Sequence, residues 1–153
     1  MRLARKRATD KDRAARIQPY FDYWMRVLCL IGNWGVGYEF KDKITDSHSS
    51  FARVYSTAPY HKGFIVFDRP VVDAAQDEEL ETTIVHELLH LVLSPIMRSN
   101  QKYFGDDSFI ATELSDSMES ICDKLSNVFM AYKYGGTSAY HDCIPLALGG
   151  EES

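Results

Sequence analysis

The twelve residues from Thr82 to Leu93 carry no charge except Glu87, and inside them stands His86-Glu87-Leu88-Leu89-His90. A segment apolar nearly all round reads as a buried helix. Residues four apart on a helix share a face, so His86 and His90 point two imidazoles at one place. Buried polar groups without partners cost roughly 2–7 kcal/mol, so two histidines and a glutamate there need something to bind. The spacing HExxH is that of zinc hydrolases, in which two histidines hold the metal and the glutamate acts on a metal-bound water. A pair of core histidines beside a helix-face carboxylate is the plainer alternative.

Around this helix the chain is consistent with one α+β domain. Its 153 residues suffice for one core, and there is no internal repeat or linker. From about Lys11 to Ile31 the apolar residues Ile17, Tyr20, Phe21, Trp24, Met25, Val27, Leu28 and Ile31 recur at helical spacing. Pro19 falls near the first turn or bends it, and Gly32 and Asn33 stop the helix. Three strand-like segments follow: Trp34 to Phe40, Phe51 to Ser56 and Gly63 to Phe67. Turn chemistry from Thr57 to Gly63 joins the last two as a hairpin, with His61 as an ordinary loop histidine. Asp68-Arg69-Pro70 ends the sheet.

The HExxH helix is expected to start after Asp77 or a few residues earlier, and Asp77, Glu78, Glu79 and Glu81 in its first turns suit a helix N-terminus. Pro95 is expected to end it, leaving 97–107 as a polar loop. A second long helix is expected from about Phe109 to Tyr132, with Leu114, Met118, Ile121, Leu125, Val128 and Tyr132 as its apolar stripe. Gly135 and Gly136 close it. The last residues, 149–153, read as a flexible tail.

Net charge is −5, but seven basic residues (Arg2, Arg5, Lys6, Arg7, Lys11, Arg13 and Arg16) crowd the start. Such an arm can bind nucleic acid; more often it is a solvated tail or docks on the protein's own acidic surface. The acidic remainder argues against a broad phosphate-binding face. No run approaches the roughly 20 apolar residues of a membrane span, and no secretory signal is expected. Cys29, Cys122 and Cys143 have no CxxC spacing and suit reduced thiols of a cytoplasmic protein.

Catalytic zinc takes three protein ligands and keeps one position for water. The extended form HExxHxxGxxH is absent, because Leu93 and Ile96 stand where its glycine and third histidine would be. Glu113 and Glu119 are the next candidates, and they face different directions on one helix. Glu119 is favoured because Ser115, Cys122 and Ser126 beside it are small and let two helices approach. Asp123, one turn on, is placed to accept the second N–H of a ligating histidine. His141 is an alternative third ligand.

His86-Glu87-Leu88-Leu89-His90 followed by Glu119-x-x-x-Asp123 resembles the gluzincin metallopeptidases, the thermolysin-like side of the zincins. The likeness covers roughly Phe51 to Tyr132. The layout is a backing helix, a small three-stranded mixed or antiparallel sheet, the HExxH helix and a glutamate helix. It is similar to ImmA/IrrE-like and other minimal phage or bacterial zincins. Gly63-Phe64-Ile65-Val66-Phe67 stands where those proteins have a Gly-x-Ile-x-Ile-like strand. Their glutamate helix often reads E-x-x-A-[ND]-x-F-A; here Cys122, Leu125 and Ser126 replace Ala, Phe and Ala.

The resemblance implies His86, His90 and Glu119 on zinc, Glu87 as general base, and a peptide or protein substrate added as a strand to a sheet edge, here Phe51 to Ser56. Such enzymes also use a Tyr or His on the oxyanion, for which Tyr103, Tyr132, Tyr134 and His141 are open. The rival expectation is a zincin-fold binding module without turnover, its zinc structural and its basic arm docking nucleic acid or protein.

Overall fold

A computed structural model describes residues 8–42, 44, 51–57, 61–104 and 109–135. Within them the chain is α+β, with four helices and one three-stranded mixed sheet. The arm before residue 8, His141 and the C-terminal tail lie outside the described residues.

Helix α1 spans Asp10–Val27. Thr9 caps it: its hydroxyl accepts from the Asp12 N–H at 3.2 Å, and the Asp12 carboxylate accepts from the Thr9 N–H at 2.8 Å. Ile17, Phe21, Trp24 and Met25 form the buried stripe, and Pro19 is tolerated inside the helix. The helix stops short of the expected Gly32 and Asn33. Cys29 takes the left-handed conformation (φ 55°) in which glycine is usual. Its N–H donates to the Arg26 carbonyl at 3.0 Å, and the Leu30 N–H donates to the Met25 carbonyl at 2.9 Å. That is a Schellman stop, and it buries Leu30 while leaving Ile31 exposed.

Arg13 and Arg16 account for part of the basic start. Arg13, buried, donates to Asp73 at 2.7 and 2.5 Å and to Asp10 at 2.8 Å. Arg16 donates to Asp77 at 2.6 Å and to the carbonyls of Val72 and Ala75. These two cations dock on the protein's own acidic surface.

Strands β1 (Gly35–Lys41), β2 (Ala52–Thr57) and β3 (Lys62–Asp68) lie in the order β1-β3-β2. β1 runs parallel to β3, and β2 runs antiparallel to it, with Val54 opposite Ile65. β2 is therefore an edge strand. At Gly63 a Cβ would lie 2.6 Å from a Leu91 methyl carbon, so β3 needs glycine to rest on the metal-motif helix.

Asp68 does end the sheet, but it also caps a short helix α2 (Arg69–Ala74) by accepting from the Val71 N–H at 3.1 Å. Asp68-Arg69-Pro70 is thus a cap followed by proline in the first turn.

Helix α3 spans Asp77–Phe104 and passes through Pro95, so the expected stop is absent and 97–104, expected as loop, is helical; 105–107 lie outside the described residues. Proline removes the N–H that would have bonded the Leu91 carbonyl. The Ser94 hydroxyl donates to that carbonyl instead, at 2.9 Å. Ile84, Val85, Leu88 and Leu91 are fully buried and pack with Ile17, Trp24, Ile65 and Phe67 into one core.

Helix α4 spans Phe109–Tyr134, and Gly135 (φ 77°) follows it. Its buried face is Met118, Cys122, Ser126 and Met130. Of the expected stripe Met118 is buried and Leu125 packs against the core, while Ile121, Val128 and Tyr132 are exposed. α4 is turned so that small side chains meet α3. Its far end is fixed by Glu81 of α3, almost fully buried, which accepts from Trp24 Nε1 at 2.7 Å, Tyr134 Oη at 2.5 Å and Lys133 Nζ. No helix among the described residues is long and apolar enough to cross a membrane.

Candidate metal centre

His86 and His90 stand one turn apart on α3, as their spacing requires, with Nε2 atoms 3.0 Å from each other. Glu119 reaches them from α4. Its carboxylate oxygens lie 3.3 Å from His86 Nε2 and 3.4 Å from His90 Nε2. The burial of Cys122 and Ser126 brings the helices close enough for this. Glu113 is exposed and takes no part in this cluster.

The outer nitrogens have their own partners. His86 Nδ1 is 3.0 Å from Asp123 Oδ1. An N–H donated there leaves the lone pair of His86 on Nε2, facing the cluster. His90 Nδ1 lies 3.6 Å from the buried Cys122 thiol. Burial pushes that thiol up to about 12, with Glu119, Glu87 and Asp123 adding repulsion, so it stays protonated at neutral pH. Burial, the largest influence, also lowers the pKa of His90, against the pull of Glu119, and favours its neutral, ligating form.

The fit to a metal can be tested on distances alone. Ligands about 2.0–2.1 Å from a tetrahedral zinc stand roughly 3.3 Å apart. The three separations here bracket that value, and His86, His90 and Glu119 form a group that could hold a metal ion. The 3.0 Å between His86 Nε2 and His90 Nε2 suits either a hydrogen shared between the rings or a cation bound by both.

Glu87 is 7% exposed, beside the cluster in a cleft lined by Ala52, Arg53 and Val54 of β2 with His86, His90 and Glu119. Desolvation, then the charge of Glu119, raises its pKa to about 7; the Val54 N–H and Arg53 oppose this. Arg53 and Cys122 are the members of the site that motif spacing does not reveal. Arg53 arrives through the fold of β2, and Cys122 falls one turn from Met118 on a face that reads simply as small.

The tyrosines considered for the oxyanion stand elsewhere. At 1.5 Å per residue, Tyr103 lies about 20 Å along α3 from His90, and Tyr132 about 20 Å along α4 from Glu119. Both are exposed, and Tyr134 is engaged by Glu81.

No protein-family model matches the chain, and no curated protein or solved structure matches it.

Proposed function

We propose that the chain is a zinc-dependent metallopeptidase of the gluzincin kind, with a zincin-like fold reduced to one small domain. The observation that carries this is the meeting of three ligand atoms at tetrahedral spacing beside a buried carboxyl whose pKa is about 7. His86, His90 and Glu119 would hold the metal; Asp123 and Cys122 orient the two rings. Zinc held there would supply Lewis-acid polarisation of a carbonyl and would lower the pKa of a water towards 7.

Glu87 takes the proton of the attacking water and delivers it to the leaving amine nitrogen. The peptide is held along β2, whose outer side borders the cluster and which, among the described residues, has a neighbouring strand only in β3. Arg53, at the cleft, is the cation placed to steady charge on the substrate.

One observation favours the rival, a zincin-like binding module without turnover. The Val54 N–H of β2 is already spent on Glu87, so base and edge strand restrain each other. Cleavage of a random peptide library by zinc-loaded protein separates the readings. The peptidase reading expects cleavage that disappears in Glu87→Gln while zinc content is kept. Equal cleavage by that variant, or none by the parent protein, would overturn it.

A further inference from the structure

A second cleft lies over the last turns of α3, away from the metal cluster. It encloses about 510 Å³ and is lined by Trp34, His61, Pro95, Arg98, Ser99 and Lys102. Among the described residues no carboxylate lines it, in a chain of net charge −5. Arg98 and Lys102 stand one turn apart on α3, and neither pairs with a carboxylate among the described residues.

Opposite the cations is a fixed platform. The His61 ring stacks on Trp34 with centroids 5.2 Å apart and an interplanar angle of 16°. His61 is held in a left-handed conformation (φ 47°), which is uncommon for a residue with a side chain. Its carbonyl accepts from the Gly35 N–H at 2.9 Å, and its Nδ1 lies 3.1 Å from the Asn33 carbonyl oxygen. Nδ1 therefore carries the hydrogen, and Nε2 is left for another partner.

We propose that this cleft binds an acidic stretch of an extended peptide. The chemistry is charge-assisted hydrogen bonding of carboxylates to Arg98 and Lys102, with apolar parts of the peptide packed on the Trp34–His61 stack. A peptide is favoured over nucleic acid by charge. The cleft lies at the end of the sheet where β1 and β3 begin, with Trp34 just before β1 and His61 just before β3. The acidic body of the chain repels a polyphosphate but tolerates a few carboxylates.

The binding does not rest on the peptidase reading, because the cleft and the metal cluster share no lining residue.

The test uses the full chain as Glu87→Gln, with and without zinc, so that no probe is consumed. Three labelled probes are compared by fluorescence anisotropy at low and moderate salt: an alternating Glu-Ala octapeptide, its Lys-Ala counterpart and an eight-nucleotide thymidine strand. The Glu-Ala peptide is expected to bind best, to weaken with salt, and to shift the emission of Trp34 whether or not zinc is present. The double variant R98E/K102E should lose at least tenfold in affinity with an unchanged melting temperature. Equal binding of the Lys-Ala peptide, tighter binding of the thymidine strand, or unchanged affinity in the double variant would overturn the proposal. Failure to cleave any peptide would remove the peptidase reading and leave the binding result standing.

Discussion

Glu87 makes the metal-free protein's stability depend on pH in a direction opposite to that of an ordinary surface carboxylate. Its pKa rises from 4.5 to about 7 on folding, chiefly through desolvation. The folded state therefore holds this proton more tightly than the unfolded chain. The associated stability is fully present below about pH 4.5 and is lost as pH rises towards about 7. At 1.36 kcal/mol per pH unit, the shift costs on the order of 3 kcal/mol above neutrality.

Glu87→Gln keeps the shape and removes the ionisation. In chelator-treated protein, urea unfolding should show the variant more stable than the parent by about 3 kcal/mol at pH 8 and by less than about 1 kcal/mol at pH 5. Saturating zinc should shrink the gap at pH 8, because a nearby cation favours the ionised carboxylate. An equal difference at both pH values, or a variant less stable at pH 8, would mean that folding does not raise the Glu87 pKa.

Lys133→Met removes the cation bonded to the buried Glu81 while Trp24 and Tyr134 remain; chemical denaturation should show a loss on the order of 3 kcal/mol, largely recovered by adding Glu81→Gln. Cys29→Gly relieves a left-handed non-glycine residue at the end of α1 and should stabilise the chain by about 0.5–1 kcal/mol in the same assay. Gly63→Ala drives a methyl group into the fully buried Leu91, one residue from His90, and should cost about 1–3 kcal/mol, read as a lowered melting temperature.

The metal motif was legible because its geometry is local. A spacing of four on any α-helix gives the His86–His90 pair without knowledge of the rest of the fold. The strands were legible because β1, β2 and β3 are short runs of β-forming residues bounded by turn residues. Glu119 was reachable by one further step, since Cys122 and Ser126 mark the face where two helices approach.

What escaped depended on contacts between distant or compensating atoms. Pro95 reads as a stop until Ser94 is seen to satisfy the Leu91 carbonyl. Gly32 reads as the end of α1, yet burial of Leu30 ends it earlier through Cys29, a residue that propensity would not place there. The stripe of α4 was misjudged because Ile121 and Val128 look like core by hydropathy, while the helix gives that place to the small residues that bring Glu119 to α3. Arg53 carries no motif at all and enters the site only because β2 lies at the sheet edge beside α3.

The most direct test of the account is zinc per chain by elemental analysis of untagged protein purified without chelator, then stripped and reloaded. About one zinc per chain is expected, absent in His90→Ala and lost or greatly weakened in Glu119→Ala, with both variants still folded. No zinc in the parent protein, even after reloading, would contradict it and leave His86, His90 and Glu119 as a polar cluster without a metal.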